Sequence, residues 1–396
     1  MTTLIELDEH EAAERALTAD ELLALQGSRM IDVQPGWRHG TYRLKAGHIV
    51  GVLDLGAGLT LRIRPKLPVR RVVYLLCYAA GLARWDERLV DLDDDAPIDV
   101  ALAEAFASAS ERTLRRGPHS AYFTVDDDLA EIRGRVDANR QRLRYGLPMP
   151  VSVTYDEYGV DIPENQLLLG AAIQLQRLSA LSGLLRRRLR RIAVALEGVR
   201  PARRDQARIP VHLNRLNEHY RAALALARAT LEGESFNLQG GDRALIGFTV
   251  NMNRLFEKFL EVGLEEALRT YPEGRLNAQR SDHLDKDRSV RIVPDLTWTR
   301  NTTPAVVIDA KYKNPSDAKA SDEDLYQIVS YCIGLGINRG FLVHATTAAS
   351  SRLAIRSSTI EVTVTGLDLA APIAQLQDQI AELGKAIAAH LIPSRL

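Results

Sequence analysis

The segment SVRIVPDLTWTRNTTPAVVIDAKYK, residues 289–313, decides the fold of the C-terminal part of the chain. Its two apolar stretches flank the polar residues 300–303, which predicts two neighbouring strands joined by a turn. Because side chains alternate along a strand, Asp309 and Lys311 project to the same face of the second strand. Asp295, at the end of the first strand, would bring a second carboxylate to the same place.

Two carboxylates and an ammonium around one point suit metal-dependent hydrolysis of a phosphodiester. Mg²⁺ prefers oxygen ligands and keeps several waters, so Asp295, Asp309 and the main-chain carbonyl of Ala310 form a suitable ligand set, with Mn²⁺ as the alternative ion. The ion would polarise the phosphate and activate a water, while Lys311 would orient that water or offset charge in the transition state. Short Asp-x-Lys strings are common, so an ordinary ion pair on a surface hairpin is the competing interpretation.

A helix predicted upstream, NMNRLFEKFLEVGLEEALRTY at residues 251–271, offers a further carboxylate. Its apolar residues recur at helical spacing, so one face is core. Glu257 lies between Phe256 and Phe259 at the edge of that face. A helical Glu is usually solvated, but an ionised carboxylate in such a place needs a compensating partner, and a metal ion is one. Glu257 is therefore a candidate metal ligand.

A second helix is predicted in DEDLYQIVSYCIGLG, residues 322–336. Gln327 and Tyr331 are four residues apart and share one helix face. Together they can position phosphates or the metal-bound water, which makes both candidate catalytic residues. The alternative is a helix that simply presents polar side chains to solvent.

Upstream of these motifs the chain divides into two further segments. Residues 1–68 show period-two patterns broken by Gly and Pro, typical of a small antiparallel sheet or barrel. Residues 69–235 are mainly helical with a β insertion, and the polar stretch at 231–242 marks the boundary to a C-terminal domain at 236–396. Helices are predicted at 69–83, 100–116, 164–181, 182–197 and 211–230.

Composition limits the function classes. The 396 residues are 46% hydrophobic and 26% charged, which allows more than one core, and Lys plus Arg equals Asp plus Glu at 51 each. With no net charge, any nucleic-acid surface must be local. The strongest basic block lies between Arg186 and Arg204, and a solvated helix face and a phosphate-binding surface explain it equally well.

Other features indicate a protein of the reducing cytosol. Cys77 and Cys332 both lie in apolar stretches, which predicts buried thiols rather than a disulfide. The first residues lack the basic and then apolar order of a signal peptide, and no run approaches the roughly 18 apolar residues of a membrane span. We therefore expect a cytoplasmic chain with no membrane contact. It contains no Gly-x-x-x-x-Gly-Lys-Ser/Thr loop, so it should not bind a nucleotide itself.

These motifs, in this order, resemble a known family. EKFL on a helix, VPDLTW, VVIDAKYK and the Gln-x-x-x-Tyr of YQIVSY are similar to the PD-(D/E)xK nuclease superfamily. Upstream, LRIRPKLPVRRVVYLLCYAAGL and VDIPENQLLLGAAIQLQRL look like segments of the McrC family. The resemblance runs from about Leu59 to about Val343, and the stretch between Val69 and Asp161 includes extra length that departs from it.

The resemblance implies a fold and a function. The fold would be α/β, or α+β overall, with a restriction-endonuclease-like core whose mixed central sheet is flanked by helices. The chain would cut double-stranded, modified DNA with Mg²⁺ when assembled with an AAA+ GTPase or ATPase ring of the McrB type, a hexamer whose nucleotide hydrolysis it would stimulate. Asp295, Asp309 and Lys311 carry over as catalytic, and Glu257, Gln327 and Tyr331 are weaker matches.

Two other functions remain open at this point. The chain could be a standalone repair or recombination nuclease, with the arginine block holding DNA, and cleavage without an ATPase partner would favour that. It could also be a regulatory adaptor that uses a nuclease fold as a scaffold. The charged residues Asp295, Asp309 and Lys311 argue against the adaptor, because a scaffold has no need for uncompensated charge at its strand ends.

Overall fold

The computed structural model describes residues 3–28, 30–56, 58–81, 96–144, 147–232, 246–301, 303–312 and 321–391. These fall into two compact units. The first comprises Met1–Asp86, Leu92–Ala101 and Glu234–Leu396, and the second comprises Glu87–Asp91 and Leu102–Gly233. The sequence predicted three segments instead. The predicted acidic loop at 91–95 and most of the predicted boundary at 231–242 lie outside the described residues.

The first unit begins with a four-stranded sheet, which agrees with the β-rich character predicted for residues 1–68. Its order is β1-β6-β5-β10, with β1 parallel to β6 and the other pairs antiparallel. The strands are β1 (Thr3–Asp8), β5 (Ile49–Gly56), β6 (Leu59–Arg64) and β10 (Ile246–Asn251). Because β10 comes from the C-terminal segment and pairs with β5 from Asn251↔Ile49 to Ile246↔Asp54, the two segments belong to one unit.

A smaller sheet and two helices complete the N-terminal part. The sheet has the order β2-β4-β3 and is antiparallel throughout. Its elements and the two helices are β2 (Ala12–Ala16), α1 (Ala19–Ser28), β3 (Ile31–Pro35), β4 (Thr41–Ala46) and α2 (Val69–Ala79). Helix α2 was predicted from the apolar spacing of 69–83, and its apolar face, including Val72 and Leu75, is buried.

A six-stranded mixed sheet forms the rest of the first unit, as the sequence predicted. Its order is β11-β14-β15-β16-β18-β17, in which β15, β16 and β18 are parallel and the other pairs antiparallel. The strands are β11 (Arg275–Ala278), β14 (Leu296–Arg300), β15 (Thr303–Lys311), β16 (Arg339–His344), β17 (Ser351–Ala354) and β18 (Glu361–Gly366). Helices α8 (Met252–Leu268), α9 (Asp322–Leu335) and α10 (Ile373–Ala388) flank it, beside a short hairpin of β12 (Asp282–His283) and β13 (Arg291–Ile292).

The apolar residues that predicted β15 form the centre of this sheet. Val306, Val307 and Ile308 are fully buried, since helices cover the sheet. Val307 packs in a cluster with Ile328 and Cys332 of α9. The apolar run stops at Asp309, a buried carboxylate, and the strand continues to Lys311.

The second unit is helical with an inserted antiparallel sheet of order β7-β9-β8, as predicted. Its elements are α3 (Ile98–Thr113, whose first turn is assigned to the first unit), β7 (Ala121–Leu129), β8 (Arg135–Val136), α4 (Ala138–Arg142), β9 (Val151–Gly159), α5 (Pro163–Gln176), α6 (Gly183–Ala195) and α7 (Arg221–Glu232). The helix predicted at 211–230 begins only at Arg221. The amide oxygens of Asn214 and Asn217 accept backbone N–H bonds from Leu216 and Asn214, and such local bonds compete with a helix.

The arginine block is partly structural. Arg186 donates to the carbonyls of Gln176 and Leu178 at the end of α5, at 3.0 and 3.1 Å, and Arg188 forms a fork with Glu111 at 2.9 and 3.0 Å. Other members, such as Arg187, are exposed. Both cysteines are free and buried. Among the described helices, none has the length and apolar character needed to cross a membrane.

Candidate active site

Asp309 and Lys311 lie at the carboxyl end of β15 and share one face, as the alternation predicted. Lys311 Nζ is 2.9 Å from Asp309 Oδ2. Asp309 is 1% exposed. A buried carboxylate at a strand end is costly unless it is paired, and one ammonium supplies part of that compensation.

Asp295 reaches the same place by a route that differs from the prediction. It does not lie in a strand continuous with residues 290–293, because β13 (Arg291–Ile292) pairs with β12 and β14 begins only at Leu296. Its Oδ2 accepts the backbone N–H of Ala310 at 2.9 Å. Its carbonyl accepts the N–H of Gln279 at 2.9 Å, which holds the residue beside the end of β15.

Three carboxyl groups form the electrostatic centre of the site. Burial and the charges of Asp295 and Asp309 raise the pKa of Glu257, on α8, to about 7. Burial and the charge of Asp295 raise the pKa of Asp309 to about 7 as well. The pKa of Asp295 is raised by burial, although the Ala310 N–H works against it. The site thus gathers more negative charge than Lys311 offsets.

Helix α9 supplies the two polar side chains predicted from the Gln-x-x-x-Tyr spacing. Gln327 Oε1 accepts a hydrogen bond from Lys311 Nζ at 2.8 Å, and Gln327 Nε2 donates to the Tyr331 hydroxyl at 2.7 Å. Burial, followed by the charge of Asp309, raises the pKa of Tyr331. The structure therefore brings Asp295, Asp309, Lys311, Gln327, Tyr331, Glu257 and Ala310 together, as the sequence predicted.

Two further residues at the site were missed. Asp324 is buried in the first turn of α9, accepts the Ser321 hydroxyl at 2.7 Å, and its charge raises the pKa values of both Asp309 and Lys311. Its spacing of three before Gln327 and seven before Tyr331 was a visible signal. His344 is buried at the end of β16, in register with Lys311, and so faces the same side of the sheet. Nothing in the local sequence reveals that pairing.

A divalent cation fits this donor set. In the described part of the chain no three acidic, His or Cys side chains already stand at metal-ligand spacing. The Asp309 Oδ2 atom is nevertheless buried and, within that part of the chain, accepts no well-oriented hydrogen bond despite the nearby ammonium. A single added cation would both pair with this oxygen and relieve the mutual repulsion of the carboxylates. Carboxylate and carbonyl oxygens are what Mg²⁺ and Mn²⁺ prefer.

Comparison with known proteins gives a consistent picture. Residues 44–345 match the model of a family described as McrBC 5-methylcytosine restriction system component. The chain is similar to one in a refined half-complex from a tetradecameric assembly of Thermococcus gammatolerans McrB AAA+ hexamers with bound McrC, at 21% identity and a TM-score of 0.58. That match covers 98% of this chain and 100% of the other, and it confirms the mixed α/β fold.

A second similar structure is the Thermococcus gammatolerans McrBC complex determined by cryo-electron microscopy. The identity is 25%, the match covers 68% of this chain and 90% of that chain, and the TM-score is 0.40. No curated protein matches the chain.

Proposed function

Because the chain belongs to the family of McrBC 5-methylcytosine restriction system components, we propose that it is the nuclease subunit of such a system. It would hydrolyse DNA phosphodiester bonds with Mg²⁺. The observation that carries this proposal is the meeting of Glu257, Asp295 and Asp309 around Lys311 at the end of a mixed sheet.

The residues of the chain have separate tasks in this reaction. Asp295, Asp309 and the Ala310 carbonyl would hold the ion, with Glu257 as a further carboxylate. When bound, the ion supplies Lewis-acid polarisation of the phosphate and a more acidic water. Lys311, paired with Asp309 and hydrogen-bonded to Gln327 Oε1, presents its ammonium to the attacking water or to the charge that develops on the phosphate.

Gln327 and Tyr331 orient the lysine. The hydrogen-bond chain from Lys311 through Gln327 to Tyr331 leaves the ammonium little freedom to rotate away. Such preorganisation matters because a displacement of about 1 Å at a reacting group can cost about a hundredfold in rate.

The proposed partner follows from the similar assembly, which contains McrB AAA+ hexamers with bound McrC. We propose that this chain likewise works with an AAA+ ring, which would use GTP or ATP, and that it stimulates nucleotide hydrolysis there. Its substrate would be double-stranded, modified DNA.

The test measures Mg²⁺-dependent cleavage of methylated plasmid DNA by wild type, Asp309→Ala and Asp287→Ala, each with the AAA+ protein encoded beside it and GTP. Asp287 is an exposed Asp in the same unit and serves as the matched control. We expect wild type and Asp287→Ala to cut only with partner and nucleotide. Asp309→Ala should lose at least a hundredfold in rate, as when one electrostatic catalytic group is removed, and still stimulate hydrolysis.

The other outcomes favour the competing functions. Cleavage by Asp309→Ala at the wild-type rate would show that this is not the active site. Cleavage by wild type without partner would favour a standalone nuclease. If wild type stimulates nucleotide hydrolysis and cuts no DNA with Mg²⁺ or Mn²⁺, the chain is an adaptor.

A further inference from the structure

Glu9, just after β1, is a buried carboxylate to which the proposed reaction gives no role. It is 1% exposed. Its Oε2 accepts the Tyr312 hydroxyl at 3.2 Å and the backbone N–H of Lys66 at 3.2 Å, and His10 Nε2 lies 3.6 Å from Oε1. Burying a carboxylate costs free energy that these contacts offset only in part, since burial raises the pKa of Glu9 despite them.

The partner of Glu9 is the residue that follows the catalytic lysine. Lys311 is the last residue of β15, and its carbonyl accepts the N–H of Ala345 at 3.2 Å. Tyr312 lies beyond this strand end, so its place depends on side-chain contacts. Its ring lies 6.4 Å from that of Phe256, the neighbour of Glu257 on α8. Tyr312 thus lies next to Lys311 in the chain and beside α8, which carries Glu257.

We propose that the Glu9–Tyr312 hydrogen bond is a positioning contact through which the N-terminal sheet holds the end of β15 and keeps the Lys311 ammonium between Asp309 and Gln327. The pair acts through Lys311 and does not touch the substrate. This inference rests on the proposed nuclease function.

The same unit contains a comparable Tyr–Glu hydrogen bond, to which the proposal gives no role in positioning Lys311. The Tyr78 hydroxyl on α2 donates to Glu266 Oε2 on α8 at 3.0 Å. It too joins the N-terminal part to the C-terminal part through a buried Tyr and a Glu. Glu266 lies nine residues after Glu257, about 13 Å further along the helix. Loss of the Tyr78–Glu266 hydrogen bond should lower the melting temperature without changing the position of the Lys311 ammonium.

The experiment compares full-length Tyr312→Phe, Glu9→Leu, the double variant and Tyr78→Phe with wild type, each assembled with the AAA+ protein; leucine fills much of the space of Glu9 and cannot accept the Tyr312 hydroxyl. The measurements are kcat and KM for DNA, the partner's nucleotide hydrolysis, and the melting temperature. We expect each change at Glu9 or Tyr312 to lower kcat about tenfold with KM and nucleotide hydrolysis unchanged. The double variant should lose no more than either single one, since both remove the same contact. Tyr78→Phe should keep the wild-type kcat.

A second readout does not depend on cleavage. The rate at which an amine-reactive reagent modifies Lys311, followed by peptide mass spectrometry, should rise severalfold in Tyr312→Phe and Glu9→Leu and stay at the wild-type value in Tyr78→Phe. Unchanged modification and kcat in both variants would overturn the positioning role and leave the nuclease proposal intact. Wild type that cuts no DNA would overturn the nuclease proposal, while the modification rates would still test the contact. If Tyr312→Phe does not fold, Glu9→Leu provides the same test.

Discussion

Lys311 is bordered by several acidic side chains. Burial by itself would lower its pKa, but Asp309, Asp295 and Asp324 outweigh that effect and raise it. The ammonium therefore stays charged in a place where an isolated lysine would tend to lose its proton. At the scale of single residues, the site depends on this balance between one cation and its acidic neighbours.

Asp324 offers a direct test of that balance. We expect Asp324→Asn to reduce the cleavage rate on the order of tenfold, the effect of about 1.4 kcal/mol, because it removes a negative charge that holds the Lys311 ammonium. The amide can still accept the Ser321 hydroxyl, so the helix start should persist. The measurement is single-turnover cleavage with the AAA+ partner.

Ser321→Ala is the matched control for Asp324. It removes the capping bonds of the Ser321 hydroxyl, including the 2.7 Å bond to Asp324, but keeps the Asp324 carboxylate. It should lower stability by about 1 kcal/mol and leave the cleavage rate near that of wild type. If both variants cut equally slowly, Asp324 acts only as a helix cap.

The buried carboxyl group of Glu9 makes the free energy of unfolding depend on pH. Burial raises its pKa above the ordinary 4.5, so the folded chain holds this proton more tightly than the unfolded chain. The contribution is complete below pH 4.5 and is lost as the pH rises through the folded pKa. We expect the free energy of unfolding of wild type to fall relative to Glu9→Gln as the pH rises above 4.5. Urea titrations at several pH values measure this difference, and a constant difference would contradict the prediction.

At the scale of elements, the same residue type has two roles on α6. Arg188 lies against α3, where its guanidinium donates to Glu111 and to Ser108, whereas Arg187 one position earlier is exposed. Helical rotation of about 100° per residue separates them. Some arginines of this basic run therefore hold α6 against α3, although the run looks uniform in sequence.

This difference predicts a stability contrast. Arg188→Ala should lower the free energy of unfolding by about 1 kcal/mol, since it breaks a forked and partly shielded ion pair. Arg187→Ala should change it by less than about 0.5 kcal/mol. Thermal unfolding of the two variants measures this contrast. Equal melting temperatures would show that the Arg188–Glu111 ion pair contributes no measurable stability.

At the scale of the whole molecule, the C-terminal part is completed by the N-terminal part. Strand β10 pairs with β5, and Phe259 of α8, fully buried, packs against Tyr74 and Tyr78 at ring distances of 6.4 and 5.1 Å. The C-terminal part is not a separate domain joined by a linker. Strand β10 and the apolar face of α8 both contact residues more than 150 positions away in sequence.

We therefore expect a fragment of residues 246–396 to aggregate or to unfold without cooperativity. Removal of the N-terminal part exposes the edge of β10 and the apolar face of α8. A fragment of residues 98–232 is the control, because its helices bury their own core, including Phe106 and Leu168. Circular dichroism melts and gel filtration measure both, and a sharply melting monomer of 246–396 would contradict this expectation.

Local pattern determined much of this protein. The apolar run of β15, the alternation that places Asp309 beside Lys311, and the spacing of Gln327 and Tyr331 are all short-range features, because strand and helix periods fix which side chains share a face. What the sequence left undetermined is which faces meet. The contact of Glu9 with Tyr312 joins residues 303 positions apart, and the pairing of β10 with β5 merges two predicted segments. Only the tertiary structure decided these, because periodicity shows that a face is buried and carries no information about what covers it.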